Sequence, residues 1–203
     1  SREIIKGFAS RYPKIIKPIK LRYYQNECLE TIEKSTKQSL ALSLPCGTGK
    51  TIIMIQSMIN KIKENNKLKF FICVPGISLC KQITELINLL GIGLKPIYIN
   101  GFNKIPKNFL TMGHNNDWNT IICVYNSINK YMEQLNKFVY TYKMADEGHH
   151  LEEYKKKIKK TKVSFLEAFN TINYKKKLLF SATFSTNTHL DYVYSYTQGV
   201  KDG

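Results

Sequence analysis

Short apolar runs alternate along this chain with longer segments in which apolar residues recur every three or four positions. The runs fall at residues 40–44, 70–74, 96–100, 120–125, 140–145 and 178–181. Their length and their content of branched and aromatic residues predict strands. The periodic segments between them, at 51–63, 78–90, 126–135 and 163–172, predict helices with one apolar face. Strand–helix alternation of this kind builds βαβ units. The expected fold is α/β, a mostly parallel central sheet flanked by helices on both faces. Such sheets bind ligands beyond the carboxyl ends of their strands, and there the chemically distinctive residues of this chain fall.

Residues 1–20, with Pro13 and Pro18, predict an irregular arm or a short strand pair, and 184–203 carry no strong pattern. No internal repeat is present. The expected organisation is an arm at 1–20, one domain at 21–185 and a C-terminal segment at 186–203.

At 203 residues the chain can bury one substantial α/β core and hardly two. No run approaches the length needed to span a bilayer, and no signal-peptide pattern opens the chain. The five cysteines (Cys28, Cys46, Cys73, Cys80 and Cys123) form no C-x-x-C pair. They predict reduced thiols in an intracellular protein, cytoplasmic or nuclear, with neither a disulfide framework nor a zinc site. The net charge of +16 predicts a polyanionic partner, although the abundance of Lys, Asn, Ile and Tyr also fits an AT-rich coding sequence. Arginine is confined to Arg2, Arg11 and Arg22.

The densest chemistry follows the first run. Pro45, Cys46, Gly47, Thr48, Gly49, Lys50 and Thr51 link a predicted strand to a predicted helix, the setting of a phosphate-binding loop. Gly47 and Gly49 allow successive N–H groups to face one anion. Lys50 supplies a full charge for the β/γ-phosphates, and the Thr51 hydroxyl can ligate Mg²⁺. The strict pattern would place glycine at position 44, where this chain has Leu44.

Asp146-Glu147-Gly148-His149-His150 ends the run at 140–145. Two carboxylates at a strand tip suit a metal–nucleotide site, one holding the metal and one activating water. Ser181-Ala182-Thr183, Leu21-Arg22-Tyr23-Tyr24-Gln25 and Val74-Pro75-Gly76, the last leading to Leu79 and Gln82, are each weak signals alone.

In this order and spacing, from Leu21 to Thr183, the motifs resemble the first RecA-like domain of superfamily 2 helicases and translocases, nearest the DExH type. The resemblance implies a RecA-like P-loop NTPase fold, with ATP and Mg²⁺ as cofactors. It implies that Gln25, supported by Arg22, reads adenine, and that Lys50 and Thr51 bind phosphate and metal. Asp146 would hold the metal shell and Glu147 would be the catalytic base. His150, Ser181 and Thr183 would couple the nucleotide site to movement. Pro75, Gly76 and Gln82, and more loosely Asn126 and Ser127, would touch a DNA or RNA backbone.

Gly148, where many relatives carry alanine, keeps a small residue. The family motor closes ATP between two RecA-like domains, and the second brings arginine to the phosphate. A chain without arginine after residue 22 is therefore expected to need that second domain, beyond the segment 186–203.

The expected function is ATP hydrolysis coupled to DNA or RNA unwinding. The alternative is a motor that translocates on duplex without separating strands. A GTPase would show an N-K-x-D signal and a small kinase would show phosphate-clamping arginines, and neither occurs. The lysine-rich run 154–162 and Lys175–Lys177 predict either a phosphate grip or a solvated face. Trp118 and most tyrosines are expected in the core, with Phe102 and Tyr125, near strand ends, the candidates for base stacking. His114 and His189 have no assigned role.

Overall fold

A computed structural model describes residues 20–90, 93–148, 165–195 and 197–198. Its elements are α1 (Tyr23–Lys34), β1 (Ser39–Ser43), α2 (Lys50–Glu64), β2 (Phe70–Val74), α3 (Ile77–Leu90) and β3 (Pro96–Ile99). They continue with α4 (Phe109–His114), β4 (Thr120–Val124), a 3-10 turn (Tyr125–Ser127) and α5 (Ile128–Leu135). The series closes with β5 (Tyr140–Asp146), α6 (Phe165–Thr171), β6 (Tyr174–Ser181) and β7 (Tyr192–Val193). The seven strands form one parallel sheet in the order β3-β4-β2-β5-β6-β1-β7.

The apolar runs are continuous because the inner strands are covered on both faces. In β2, Phe70, Ile72 and Val74 pack into a core with Cys28, Ile32, Met54, Met58 and Ile83 of α1, α2 and α3. The intervening Phe71 and Cys73 face the opposite core, built with Phe109, Leu135 and Phe169 of α4, α5 and α6. Trp118 belongs to this second core, stacked on Phe109 at 4.7 Å and donating its indole N–H to the Phe109 carbonyl at 3.1 Å. Gly113 keeps that cluster closed, since a Cβ there would collide with the Phe138 and Trp118 rings.

Three elements differ from the sequence expectation. The six-residue helix α4 has too short an apolar period to stand out. Strand β7 pairs Tyr192 and Val193 with Leu42 and Ser43 of β1, so part of the segment after residue 185 joins the sheet. Tyr194, just beyond it, stacks on Tyr24 at 4.0 Å. Strand β6 begins at Tyr174, which puts Lys175–Lys177 in the sheet and not on a helix face. Residues 154–162 lie outside the described residues.

Several lysines serve the fold. Lys176 Nζ donates to the carbonyls of Ile32 (2.8 Å) and Ser35 (2.6 Å), closing the C-terminal end of α1. Lys69 donates to the Trp118 carbonyl at 3.1 Å and lies 4.3 Å above that indole. Lys143, fully buried in β5, donates to the carbonyls of Phe169 (2.7 Å), Asn170 (3.3 Å) and Ile172 (3.0 Å). Its ammonium also lies 3.8 Å from the Tyr174 ring centre. Carbonyls at a helix C-terminus lack intrahelical donors and carry partial negative charge, so a lysine there answers both needs. Among the described residues no helix is long and apolar enough to cross a membrane.

Burial, helped by Lys177, pushes the Lys143 ammonium down from 10.5 to about 7, and burial lowers Lys69 and Lys176 as well. Between about pH 7 and 10.5 the unfolded chain therefore holds a proton on Lys143 that the folded chain has released. The Lys143 contribution to folding stability should accordingly rise with pH through that window, while the buried thiols of Cys28, Cys73, Cys80 and Cys123, raised above 9 by burial, act in the opposite direction toward its upper end. Urea unfolding of wild type and Lys143→Met at pH 7, 8 and 9 isolates the lysine: the stability of wild type relative to the variant should increase with pH, and a constant difference would remove Lys143 as a source of pH dependence.

Candidate functional site

The carboxyl ends of β1, β6 and β5 lie side by side, and each delivers a predicted residue. After β1, Leu44 remains buried in the core, where the strict loop pattern has glycine. Its N–H donates to the Ser181 carbonyl at 2.9 Å, so the loop starts anchored to β6. Pro45 is half-buried and Cys46 is exposed. Gly47 and Gly49 both have φ of +81°, a region costly for residues with a Cβ. Gly49 is constrained twice, because a Cβ there would stand 2.5 Å from Gln25 Nε2. Thr48 turns the loop inward, its hydroxyl donating to the Pro45 carbonyl at 2.7 Å.

Gln25 and Tyr24, on the first turn of α1, hold this loop from outside. Gln25 Nε2 donates to the Thr48 carbonyl at 2.9 Å, and Tyr24 Oη donates to the same oxygen at 3.1 Å. Gln25 Oε1 accepts from the Arg22 backbone N–H at 2.9 Å, and the Arg22 side chain is exposed. An amide has two N–H donors and two lone pairs, so one of each remains on Gln25. Tyr24 is a loop support that the sequence reading missed. A tyrosine beside the predicted glutamine was the only signal for it.

Lys50 and Thr51 open α2, at its positive N-terminal end. Lys50 Nζ lies 3.7 Å from Glu147 Oε1 and 3.5 Å from the Leu44 carbonyl. Glu147 holds a φ of +54°, strained for a non-glycine residue, as it turns the chain off β5. The next N–H, of Gly148, donates to the Phe180 carbonyl at 2.8 Å. A Cβ on Gly148 would stand 3.1 Å from the Leu179 Cβ, a close approach that keeps the position to a small residue.

Asp146 is only 6% exposed, and its Oδ1 has no hydrogen-bond partner. Burial raises its carboxyl above the usual range, and Lys50 opposes that shift. A buried, unpartnered carboxylate oxygen within electrostatic reach of Lys50 is a hard oxygen donor suited to a cation shell. Tyr125, at the tip of β4, donates its hydroxyl to the Asp146 carbonyl at 2.6 Å. It is therefore buried and is no stacking platform, contrary to the sequence expectation.

Ser181 is fully buried. Its Oγ donates to the Thr183 carbonyl at 2.6 Å and accepts from the Thr183 N–H at 3.1 Å, fixing the turn that leaves β6. Thr183 itself is exposed. His150 lies outside the described residues.

The other half of the edge is formed by β2, β4 and β3. Pro75 is exposed and Gly76 half-buried after β2, and Gln82 is exposed on α3. Of the pair at the β4 tip, Asn126 is exposed and Ser127 buried, so only Asn126 offers its side chain. The predicted phosphate-binding residues thus occupy the β1/β6/β5 side, and the predicted strand-contacting residues occupy the β2/β4 side.

Residues 18–186 match the family described as the type III restriction enzyme, res subunit. No curated protein matches the chain. The fold is similar to a nuclease-deletion mutant of the type ISP restriction-modification enzyme LlaGI in complex with a DNA substrate mimic. That match has a TM-score of 0.69 and 18% identity, covering 91% of this chain and 20% of that one. It is similar to the SWI2/SNF2 ATPase core of Sulfolobus solfataricus in complex with dsDNA, with a TM-score of 0.67, 17% identity, and 87% and 35% coverage. A DEAD-box helicase bound to ssRNA and UDP-BeF matches with a TM-score of 0.62, 20% identity, and 81% and 36% coverage. The chain thus spans well under half the length of these three proteins. With most of its length matched by one family model, the chain belongs to the type III restriction enzyme res subunit family, and its α/β RecA-like fold is shared with these three proteins.

Proposed function

We propose that this chain binds ATP with Mg²⁺ at the joined ends of β1, β6 and β5, and forms one half of a DNA or RNA helicase. The observation that carries the reading is the 3.7 Å approach of Lys50 to Glu147 beside the unpartnered buried oxygen of Asp146. In this reading the loop from Pro45 to Gly49 presents N–H groups to the phosphates and Lys50 neutralises them. Thr51 and Asp146 hold the ion, directly or through water. Among the described residues no group of three or more His, Cys, Asp or Glu is placed to hold a metal. Mg²⁺ needs no such group, since it takes one or two protein ligands along with phosphate oxygens and water. Once bound, it would draw charge from the transferring phosphate.

Glu147, drawn over by its strained turn, orients the attacking water and takes its proton. The remaining donor and acceptor of Gln25, with Arg22 alongside, read adenine. Ser181 and Thr183, and His150 outside the described residues, pass the nucleotide state onward. Pro75, Gly76, Gln82 and Asn126 lie along the nucleic acid.

Lys50→Ala should weaken nucleotide binding by about 1.5–3 kcal/mol, the range of charge-assisted hydrogen bonds. Titration of both forms with a fluorescent adenine nucleotide tests this, and equal affinities would remove the loop from the site.

A second reading, translocation on duplex without strand separation, is supported by the family match to a restriction-enzyme subunit. Duplex-stimulated ATPase without strand displacement by the full-length protein would select it.

Residues 23–203 contain no arginine, so a guanidinium closing over the phosphate has to come from another domain. Its loss costs roughly 10³–10⁵ in rate, or about 4–7 kcal/mol. This chain alone should therefore bind ATP but turn it over very slowly, with residual turnover abolished by Glu147→Gln. Steady-state phosphate release is the measurement, and motor-level, nucleic-acid-stimulated turnover by the monomeric chain would overturn the two-domain account.

A further inference from the structure

Phe102 is 84% exposed, the most solvent-facing of the large apolar side chains among the described residues. A lone exposed apolar side chain is ordinary on a protein surface. The turn that carries this one is not, because it is built around a buried polar group. Asn100, only 4% exposed, accepts at Oδ1 from the N–H groups of Phe102 and Asn103, both at 2.8 Å, and from Asn103 Nδ2 at 3.3 Å. The Asn100 N–H in turn donates to the Asn103 carbonyl at 3.0 Å. Four hydrogen bonds within four residues fix the backbone beneath the phenyl ring, which can then bind a flat partner with little further ordering.

The position of the turn identifies the partner. It follows β3, whose Ile99 is in register with Cys123 of β4, and Cys123 is in register with Cys73 of β2. Phe102, Asn126 and the Pro75–Gly76–Ile77 turn therefore form one row at the carboxyl edge, across two strand spacings or about 10 Å. Ile77 adds an exposed apolar side chain to this row, at 44%. Between Glu85 and Asp117 the chain has no carboxylate, and Asp117 precedes β4, at the opposite edge of the sheet. Lys104 and Lys107, just after the Phe102 turn, are exposed. An exposed aromatic with adjacent cations, on a stretch of chain that carries no carboxylate, is the composition of a site for single-stranded nucleic acid.

We propose that Phe102 stacks on an unpaired nucleobase of a strand lying along this row, with Lys104 and Lys107 neutralising its phosphates. The inference rests on the nucleic-acid reading above. It adds a contact that depends on the base, next to candidates that touch only the backbone. It also favours single strands, because a phenyl ring reaches the face of a paired base only by breaking the stack.

The test is a fluorescence-anisotropy titration of the chain with four labelled ligands: single-stranded DNA, single-stranded RNA, a DNA duplex and a single strand carrying abasic sites. Phe102→Ala should weaken binding to base-bearing single strands roughly 5- to 150-fold, the equivalent of 1–3 kcal/mol for one stacked base. Its salt slope should stay unchanged, and Phe102→Trp should keep the affinity. Duplex and abasic binding should not respond to Phe102→Ala. Replacing Lys104 and Lys107 together by Ala should instead flatten the single-strand slope by about 0.7 per phosphate lost. Loss on DNA alone, RNA alone or both supports the proposal and identifies the strand. Equal binding by wild type and Phe102→Ala, or equal losses on abasic and base-bearing strands, overturns the stacking role and leaves the nucleic-acid reading standing. A wild-type chain that binds none of the four ligands in a salt-dependent way overturns both.

Discussion

Two adjacent carbonyls at the end of β6 hold the two halves of the candidate nucleotide site. The Ser181 carbonyl takes the N–H of Leu44, where the glycine loop leaves β1, and the Phe180 carbonyl takes the N–H of Gly148, where the carboxylate turn leaves β5. Successive carbonyls of a strand point to opposite neighbours, so one short stretch of β6 can reach both. Lys50 and Glu147, which come within 3.7 Å of each other, are carried by segments anchored through these bonds. The Ser181–Thr183 turn grows from the same two residues. A change in how β6 ends is felt on both sides of the site without any side chain as intermediary.

The fold was legible where one physical signal dominated. Strand β2 could be read to the residue because it is covered on both faces and so is apolar throughout. The glycine loop between β1 and α2 could be read because its positive-φ turns need glycine. The reading failed where a polar residue did the work of an apolar one. Lys143 and Lys176 sit in strands as hydrogen-bond donors to the carbonyl ends of α6 and α1, and in a one-dimensional pattern they only dilute the apolar runs. The net charge of +16 was read as a sign of a polyanion, yet part of it is committed to helix ends and to the Trp118 ring. The support for a nucleic-acid partner is therefore more local than the total suggests, and it concentrates around Lys104 and Lys107.

At the candidate site the order of motifs picked out residues that lie at neighbouring strand ends, and the contacts around them could not be foreseen. Gln25 was picked out as an adenine reader, but its contact to Thr48, the matching one from Tyr24 and the exclusion of any Cβ at Gly49 depend on how α1 crosses the loop. Ser127 and Asn126 are neighbours in a short turn, and only the helical pitch decides which faces out. Tyr125 and Phe102 looked alike as aromatics near strand ends. One lies under its neighbours and the other stands clear, because a buried Asn100 closes the second turn and none closes the first.

The buried Tyr125 has a mechanical consequence. Strand β2 lies between β4 and β5, so the phenol that runs from the β4 tip to the Asp146 carbonyl bridges over the end of β2. A tyrosine ring does not bend, and its 2.6 Å hydrogen bond leaves little slack. The side chain therefore ties the turn that carries Asn126 to the strand that carries the carboxylates, so the two sides of β2 are joined at the sheet edge by a contact other than the ladder of the strands.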